Sequence, residues 1–418
     1  MSDIQTRRPI KLAYITVRIP GVGDGEQFLL PEILELSRLN FALVLIPRES
    51  SAQHSHRFES DQRVIVREMG LSSRQVIWEF LKAAVRNPRL TSEISRECFR
   101  GATPLDGLKN LRVLAKGIWL GRLVEREAVE HIHAHWGATT ATLAEIAHRI
   151  SGVPWSLTLH RGDIIQNNRL SQKVRSASFT RFISRDGLRL YRDVTGRDAA
   201  TDGQIHVIHM GVTVPPLNSI GTPGKKVPFA LVCAANLVPV KGHVFLFQAM
   251  DLLRERGLAV HLYVVGDGAL RAELEDWVVN HRLEDWVSFT GRLSHNSLLD
   301  SYRQGKFHAV VLPSIDLGGG NHEGIPVSLM EGMAFGLPAI STETGGIPEL
   351  LGRGAGLIVP PNNAESLADA IARLVEDPDF AAKTAQRGRE RVISDFNISL
   401  TVAALADACE QWARLSTS

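Results

Sequence analysis

The chain predicts an α/β protein built from two doubly wound, Rossmann-like domains with parallel sheets facing a central cleft. Strand-like and helix-like segments alternate along both halves, which is the pattern of parallel sheets. Between the two series lies a stretch, 215–228, in which Pro215, Pro216, Gly221, Pro223, Gly224, Lys225, Lys226 and Pro228 break any regular element. At 418 residues the chain also exceeds one ordinary hydrophobic core. Ligands of such folds sit at the carboxyl ends of strands. Two facing domains would therefore hold the active site in the cleft.

In the first half the expected strands are 11–17, 42–46, 131–135, 156–160, 181–184 and 205–208. A glycine loop, GVGDGEQF at 21–28, leads from the first of them into a helix at 31–38. Residues 72–126 break the alternation and read as two or three helices. The first has an apolar stripe of Val76, Ile77, Phe80, Leu81, Ala84 and Val85, with Arg74, Lys82, Arg86 and Arg89 around it. Such a helix either packs on its own domain or lies on a membrane surface. The second series has strands at 229–234, 260–265, 287–289, 309–312, 339–340 and 357–359, with helices such as 242–256, 269–280 and 365–374 between them. The expected domains are 1–214 and 229–395, with 215–228 as linker and 396–418 as a closing helix.

Composition fits a globular protein, with 44% hydrophobic and 22% charged residues. No apolar run approaches the roughly 20 residues that span a bilayer. The start, MSDIQTRRPIK, lacks a signal-peptide core, and Cys98, Cys233 and Cys409 form no metal or disulfide spacing. A reducing cytosol is the expectation. Net charge is +2, but it is uneven. Residues 1–210 hold 30 Lys+Arg against 22 Asp+Glu, and the remainder holds 17 against 23. A basic first half either favours an anionic membrane or ligand, or is a plain surface bias. The charges are not interleaved with an aromatic platform, so nucleic acid is not an expected partner.

The most informative segment is GGGNHEGIPVSLMEGMAFG, residues 318–336. Three glycines approach a helix in which Pro326 suits the first position. Val327, Leu329, Met330, Met333 and Ala334 give the apolar face, and Gly336 with Pro338 stops it. A helix start bordered by glycine presents free N–H groups and partial positive charge, which suits a phosphate. Glu323 and Glu331 flank that point, and carboxylates accept hydrogen bonds from hydroxyls. Phosphate beside sugar hydroxyls indicates a nucleotide-sugar.

Other motifs fall at strand ends. AANLVPVKGH, 234–243, offers Asn236 and Lys241, the lysine to set charge near a diphosphate. SLTLHRGD, 156–163, ends a strand on His160 and continues to Asp163; the histidine is either structural or ligand-facing. HIHAHW, 131–136, puts His131, His133 and His135 on one strand face, without a carboxylate or cysteine at zinc spacing. In GVGDGEQF, which is not G-x-G-x-x-G, Gly21, Gly23 and Gly25 allow close approach of backbone to ligand. VVGDGAL (264–270), SFTGRLSH (288–295) and TGGIPEL (344–350) are further turns, the last around Glu349. The one Asp-x-Asp match, Asp377 with Asp379, lies between helices, so no divalent metal is implied.

The whole string from the glycine loop through Glu323, Gly324, Pro326 and Glu331 to Gly-Leu-Pro resembles the E-x7-E segment of family-4 retaining glycosyltransferases of the GT-B fold. The likeness covers most of the chain and is nearest the exopolysaccharide and colanic-acid-type branch. It implies that Glu323 meets the donor hexose, Glu331 the ribose, and Gly324, Ile325, Pro326 and Val327 the diphosphate. By the same resemblance His160, Lys241 and Glu323 are catalytic, while Gly23, Asp163, Asn236, Arg292 and Leu293 help bind the donor. The family has Gly-Arg where this chain has Ala235-Asn236, so either the grip on the leaving phosphate is weaker or an arginine from elsewhere, Arg292 or Arg161, supplies the charge. The implied activity moves a hexose from a nucleotide-diphosphate-sugar to a lipid-linked oligosaccharide, at the cytoplasmic face of a membrane and without a metal or cofactor. The last helix, near 399–414, would cross back onto the first domain. Alternatives are a GT-B phosphorylase, a sugar-nucleotide epimerase, or a silent nucleotide-sugar-binding scaffold.

Overall fold

The computed structural model describes residues 8–21, 26–50, 58, 61–221 and 228–415. It divides into two compact units, one holding residues up to His209 together with those from Thr401 on, the other Met210–Leu400. Each unit is a Rossmann-like domain with a parallel sheet.

Among the described residues the first unit has seven strands: β1 (Ile10–Thr16), β2 (Phe41–Pro47), β3 (Val64–Val66), β4 (His131–His135), β5 (Trp155–Leu159), β6 (Phe179–Phe182) and β7 (Ile205–Val207). Their order is β3-β2-β1-β4-β5-β6-β7, and every pairing is parallel. β4 and β5 are buried throughout, as strands covered on both faces must be. Strand order reverses between β1 and β4, so the chain ends leaving β1, β4 and β5 flank the switch point.

Two elements differ from expectation. β3 is three residues between Arg63 and Arg67, too short to show a period, and its pairing with β2 creates it. The strand expected at 181–184 ends at Phe182, because Ser184 caps the next helix, Arg185–Thr195, by accepting the Gly187 N–H.

Residues 72–126 form three helices, Arg74–Arg86, Pro88–Glu97 and Pro104–Arg126. Ser73, Asn87 and Thr103 cap them through side-chain oxygens, and proline opens the latter two. The apolar stripe of the first helix splits. Val76 and Ala83 are buried, with Phe80 packed beside Ile94, Leu114, Ile118 and Ile146. Ile77, Trp78, Leu81 and Val85 are exposed, Val85 by 83%.

The second unit has six described strands: β8 (Phe229–Ala234), β9 (Val260–Val265), β10 (Val287–Gly291), β11 (Ala309–Leu312), β12 (Ala339–Thr342) and β13 (Leu357–Val359). The order β10-β9-β8-β11-β12-β13 reverses between β8 and β11. There the two outgoing chains meet: the Ile315 N–H donates to Val240 O at 2.9 Å. Gly242 has φ 66°, and a Cβ on it would stand 2.1 Å from Pro313 O, so only glycine allows this approach.

The second unit also begins earlier than the composition of the linker indicates. Val212 N–H donates to Phe396 O at 2.8 Å, and Val212 bridges Asn397, so these residues join the unit before the prolines begin. Part of the expected linker, 222–227, lies outside the described residues. The closing helix is Ile398–Leu415.

Candidate functional site

At the switch point of the second sheet, Gly318, Gly319 and Gly320 all take positive φ, and the Leu317 N–H closes the loop on Asn321 O at 3.0 Å. The chain then enters helix Val327–Ala334. Pro326 is its capping residue (φ −71°, ψ 119°) rather than its first helical one, and Pro326 O accepts the Met330 N–H at 3.3 Å. The first-turn N–H groups have no acceptor within the helix. They form a concentrated donor site at the helix head.

Both acids named from the sequence stand beside that head, and both are paired. Glu323 Oε2 is ion-paired with Lys241 Nζ and accepts from Ser314 Oγ at 3.4 Å. Lys241 ends a 3-10 turn, Pro239–Lys241, on the chain leaving β8. Glu331 Oε1 meets His295 Nε2 at 2.6 Å. That hydrogen bond raises the His295 pKa above the ordinary histidine value, against the opposing effect of burial. His295 opens helix His295–Arg303, one turn after Arg292 and Leu293. Ser314 and His295 were not assigned from the sequence. His295 lies 36 residues from Glu331 and Ser314 nine from Glu323, neither at a spacing that marks a motif.

The turn after β12 fixes the Glu323 loop from outside. Gly345 has φ 50°, and a Cβ there would lie 1.9 Å from Glu323 O. A Cβ on Gly346 would lie 2.8 Å from the Ile325 side chain and 3.0 Å from Gly324 O. The glycines of TGGIPEL are therefore needed for close approach to Glu323–Ile325. Asn236 and Arg292 are exposed, and Leu293 is half-buried. Gly23 lies outside the described residues.

In the first unit the three β4 histidines point to one face, and two of them bond across to β5. His131 Nε2 and His133 Nδ1 each lie 2.8 Å from Ser156 Oγ, and His133 Nε2 lies 3.0 Å from Thr158 Oγ1. His135 Nε2 lies 2.7 Å from His160 Nε2. Burial pushes the His131 and His133 pKa values down to about 3 and holds His135 well below its ordinary value. The His160 ring stacks on Trp136 with centroids 4.2 Å apart. Burial, with the Arg181 charge, brings its pKa to about 3.

Asp163 is 6% exposed and accepts the His160 N–H at 3.0 Å. Burial raises its pKa to about 6, although N–H groups of His160, Gly137 and Ala138 bond its carboxylate. Lys173 Nζ holds the carbonyls of the same turn, Gly137 and Ala138, at 2.8 and 2.7 Å. In this arrangement Asp163 is engaged in holding the Trp136 turn.

A further residue outside the sequence-assigned set, Glu26, receives the Trp136 Nε1–H and the Arg18 N–H, the latter at 2.7 Å. It ties the ends of β1 and β4 together.

The second unit thus has a donor cluster for an anion, a lysine beside it, and two carboxylates for hydroxyls. Among the described residues no helix is long and apolar enough to cross a membrane.

Residues 222–391 match the family described as Glycosyl transferases group 1. WcaL of Escherichia coli (strain K12), named as a colanic acid biosynthesis glycosyltransferase, is 34% identical over 46% of this chain and 48% of its own length. The amylovoran biosynthesis glycosyltransferase AmsK of Erwinia amylovora is 29% identical over 50% of this chain and 51% of its own. The chain therefore spans about half the length of the relatives it matches. Anabaena Alr3699/HepE, solved in complex with UDP, superposes with a TM-score of 0.69 over 96% of this chain and 100% of that one, at 17% identity. A glycosyltransferase from Rickettsia africae ESF-5 gives 0.69 over 97% and 99%, at 16% identity. The architecture is the GT-B fold, and residues 222–391 are a group 1 glycosyl transferase domain homologous to those of WcaL and AmsK.

Proposed function

We propose, for a chain that carries a group 1 glycosyl transferase domain, that it is a retaining glycosyltransferase of exopolysaccharide or cell-surface glycan synthesis. It moves a hexose from a nucleotide-diphosphate-sugar to a lipid-linked oligosaccharide. The observation carrying this reading is the Pro326 helix head with Lys241, Glu323 and Glu331 around it. First-turn N–H groups and Lys241 receive the diphosphate, Glu323 the hexose hydroxyls and Glu331 the ribose. Gly324, Ile325 and Val327 form the backbone of that cradle, and Arg292 and Leu293 border the base.

Lys241 and the helix head stabilise the departing diphosphate charge, so the reading needs no cofactor; the nucleotide-sugar is a co-substrate. Retention through a carboxylate nucleophile would need a free acid near the sugar. The reading gives both acids beside the helix head, Glu323 and Glu331, to hydroxyls of the donor, so neither is left as the nucleophile. The reading therefore takes a front-face attack, in which the leaving phosphate helps deprotonate the acceptor and orientation supplies the rate.

Acceptor binding is assigned to the first unit. The exposed Ile77, Trp78, Leu81 and Val85 stand among Arg74, Lys82 and Arg86, with Leu105 and Leu108 exposed on the helix packed beside them. Apolar side chains ringed by arginine and lysine fit an anionic bilayer surface. This supports a peripheral position at the cytoplasmic face of a membrane.

A thermal-shift panel of UDP-, GDP- and ADP-sugars followed by transfer assays with lipid-linked acceptor tests the function. One nucleotide class should raise the melting temperature and support transfer. Transfer to free phosphate, product without acceptor, or binding without turnover would support the phosphorylase, epimerase or scaffold alternative respectively.

A further inference from the structure

A buried chain of hydrogen bonds in the first unit runs from an ion pair to His160. Arg181 Nη1 meets Glu32 Oε2 at 2.8 Å, both side chains being 0% exposed. The guanidinium also donates to Ile208 O at 2.9 Å and His209 O at 2.7 Å, so it is fixed on several sides. Tyr14 OH donates to Glu32 Oε1 at 2.5 Å and lies 2.8 Å from His135 Nδ1. His135 Nε2 then lies 2.7 Å from His160 Nε2.

Counting donors and acceptors leaves one arrangement. Burial alone would raise the Glu32 pKa, but Arg181 and Tyr14 outweigh it and hold the group ionised. An ionised carboxylate only accepts, so the Tyr14 proton points to it. The Tyr14 oxygen must then accept from His135, which places a proton on His135 Nδ1. A neutral His135 therefore has an unprotonated Nε2, and His160 must supply the proton between the two rings from its own Nε2.

We infer that Tyr14, Glu32 and His135 are positioning residues of the transfer reaction, holding His160 neutral, in one orientation, with its proton on Nε2. The inference rests on the family resemblance given above, which makes His160 catalytic. The His160 Nε2 is engaged with His135 within the unit. His160 thus acts as a fixed, uncharged ring, and neither protonates the leaving phosphate nor pairs with it as a cation. Arg181 anchors the far end of the chain, and Trp136 clamps the ring face.

The test combines a spectroscopic readout with kinetics on the full chain. Histidine labelled with nitrogen-15 is observed at neutral pH by long-range proton–nitrogen correlation, with His135→Gln and His160→Gln assigning the two signals. The parent should show Nδ1–H for His135 and Nε2–H for His160. Tyr14→Phe, isosteric and checked by its melting curve, should change the His135 signal. It should lower kcat about tenfold while KM for the sugar nucleotide stays within about twofold, as expected for a lost orienting hydrogen bond.

The opposite tautomers, or a charged ring in the parent, would overturn the inference. So would Tyr14→Phe turning over at the parental rate after its tautomers had changed. A parent that transfers from no sugar nucleotide would refute the transferase reading instead, and the nitrogen signals would still decide the hydrogen-bond chain.

Discussion

Lys241 and Glu323, 82 residues apart in sequence, are ion-paired beside the head of helix Val327–Ala334. The pair joins the turn after β8 to the loop after β11. On the proposed reading, a diphosphate at the helix head would compete for the lysine and free the carboxylate for sugar hydroxyls, so donor binding and the exchange of this pair would be one event.

Lys241→Ala is expected to weaken sugar-nucleotide binding or turnover by roughly 2–4 kcal/mol, the scale of a lost charged hydrogen bond at a reacting site. Titration calorimetry with the preferred donor measures it. Parental affinity in the variant, with parental turnover, would remove Lys241 from the site.

Gly345→Ala should damage the site without touching a ligand group. The new Cβ would meet Glu323 O at 1.9 Å in a backbone with φ 50°. The Glu323 loop must shift, and donor affinity should fall by about 1–3 kcal/mol. An unchanged dissociation constant would show that the loop position does not matter.

The first unit should be acid-labile. His131, His133 and His160 are held at about 3 in the fold, against an ordinary value of 6.5. Between those values the unfolded chain binds more protons, so stability falls as pH drops below about 6.5. Each histidine contributes up to about 1.4 kcal/mol per pH unit across that window. Asp163, raised from 3.8 to about 6, has the opposite sign and offsets one of them. Calorimetry at pH 7.5 and pH 5 (values chosen about the ordinary histidine pKa) should show a clear loss of melting temperature at the lower pH. Equal melting temperatures would contradict the buried neutral histidines.

Much of the fold was legible because strands buried on both faces leave continuous apolar runs. Phe229–Ala234 falls where such a run predicts, and Val260–Val265 and His131–His135 also fall at their expected positions. β3 was not legible, since three residues show no period and its partner strand creates it. The acids at 323 and 331 were legible as part of a local string around Pro326. His295 was not, because only the fold brings it to Glu331 from 36 residues away, and Ser314 was not, because its place depends on how the glycine loop before Glu323 closes. Glu32, Tyr14 and Arg181 sit singly in apolar segments, and no spacing links residues separated by 149 positions. The basic helix posed two alternatives; the structure packs Val76 inward on its own domain and leaves Val85 exposed.

The outward face gives a prediction of its own. Replacing Ile77, Trp78 and Leu81 together by serine should lower binding to vesicles of anionic phospholipid at least tenfold, given about 1.5–3 kcal/mol for each large side chain that inserts. Co-sedimentation measures it. Equal binding of parent and variant, or no binding by the parent, would place the membrane contact elsewhere or nowhere.

A crystal of the full chain soaked with its stabilising sugar nucleotide tests the central claim most directly. The account predicts the pyrophosphate within hydrogen-bond distance of the first N–H groups after Pro326, Lys241 turned towards it, and the ribose on Glu331. A nucleotide seated elsewhere, with this helix head vacant and the Lys241–Glu323 pair intact, would contradict it.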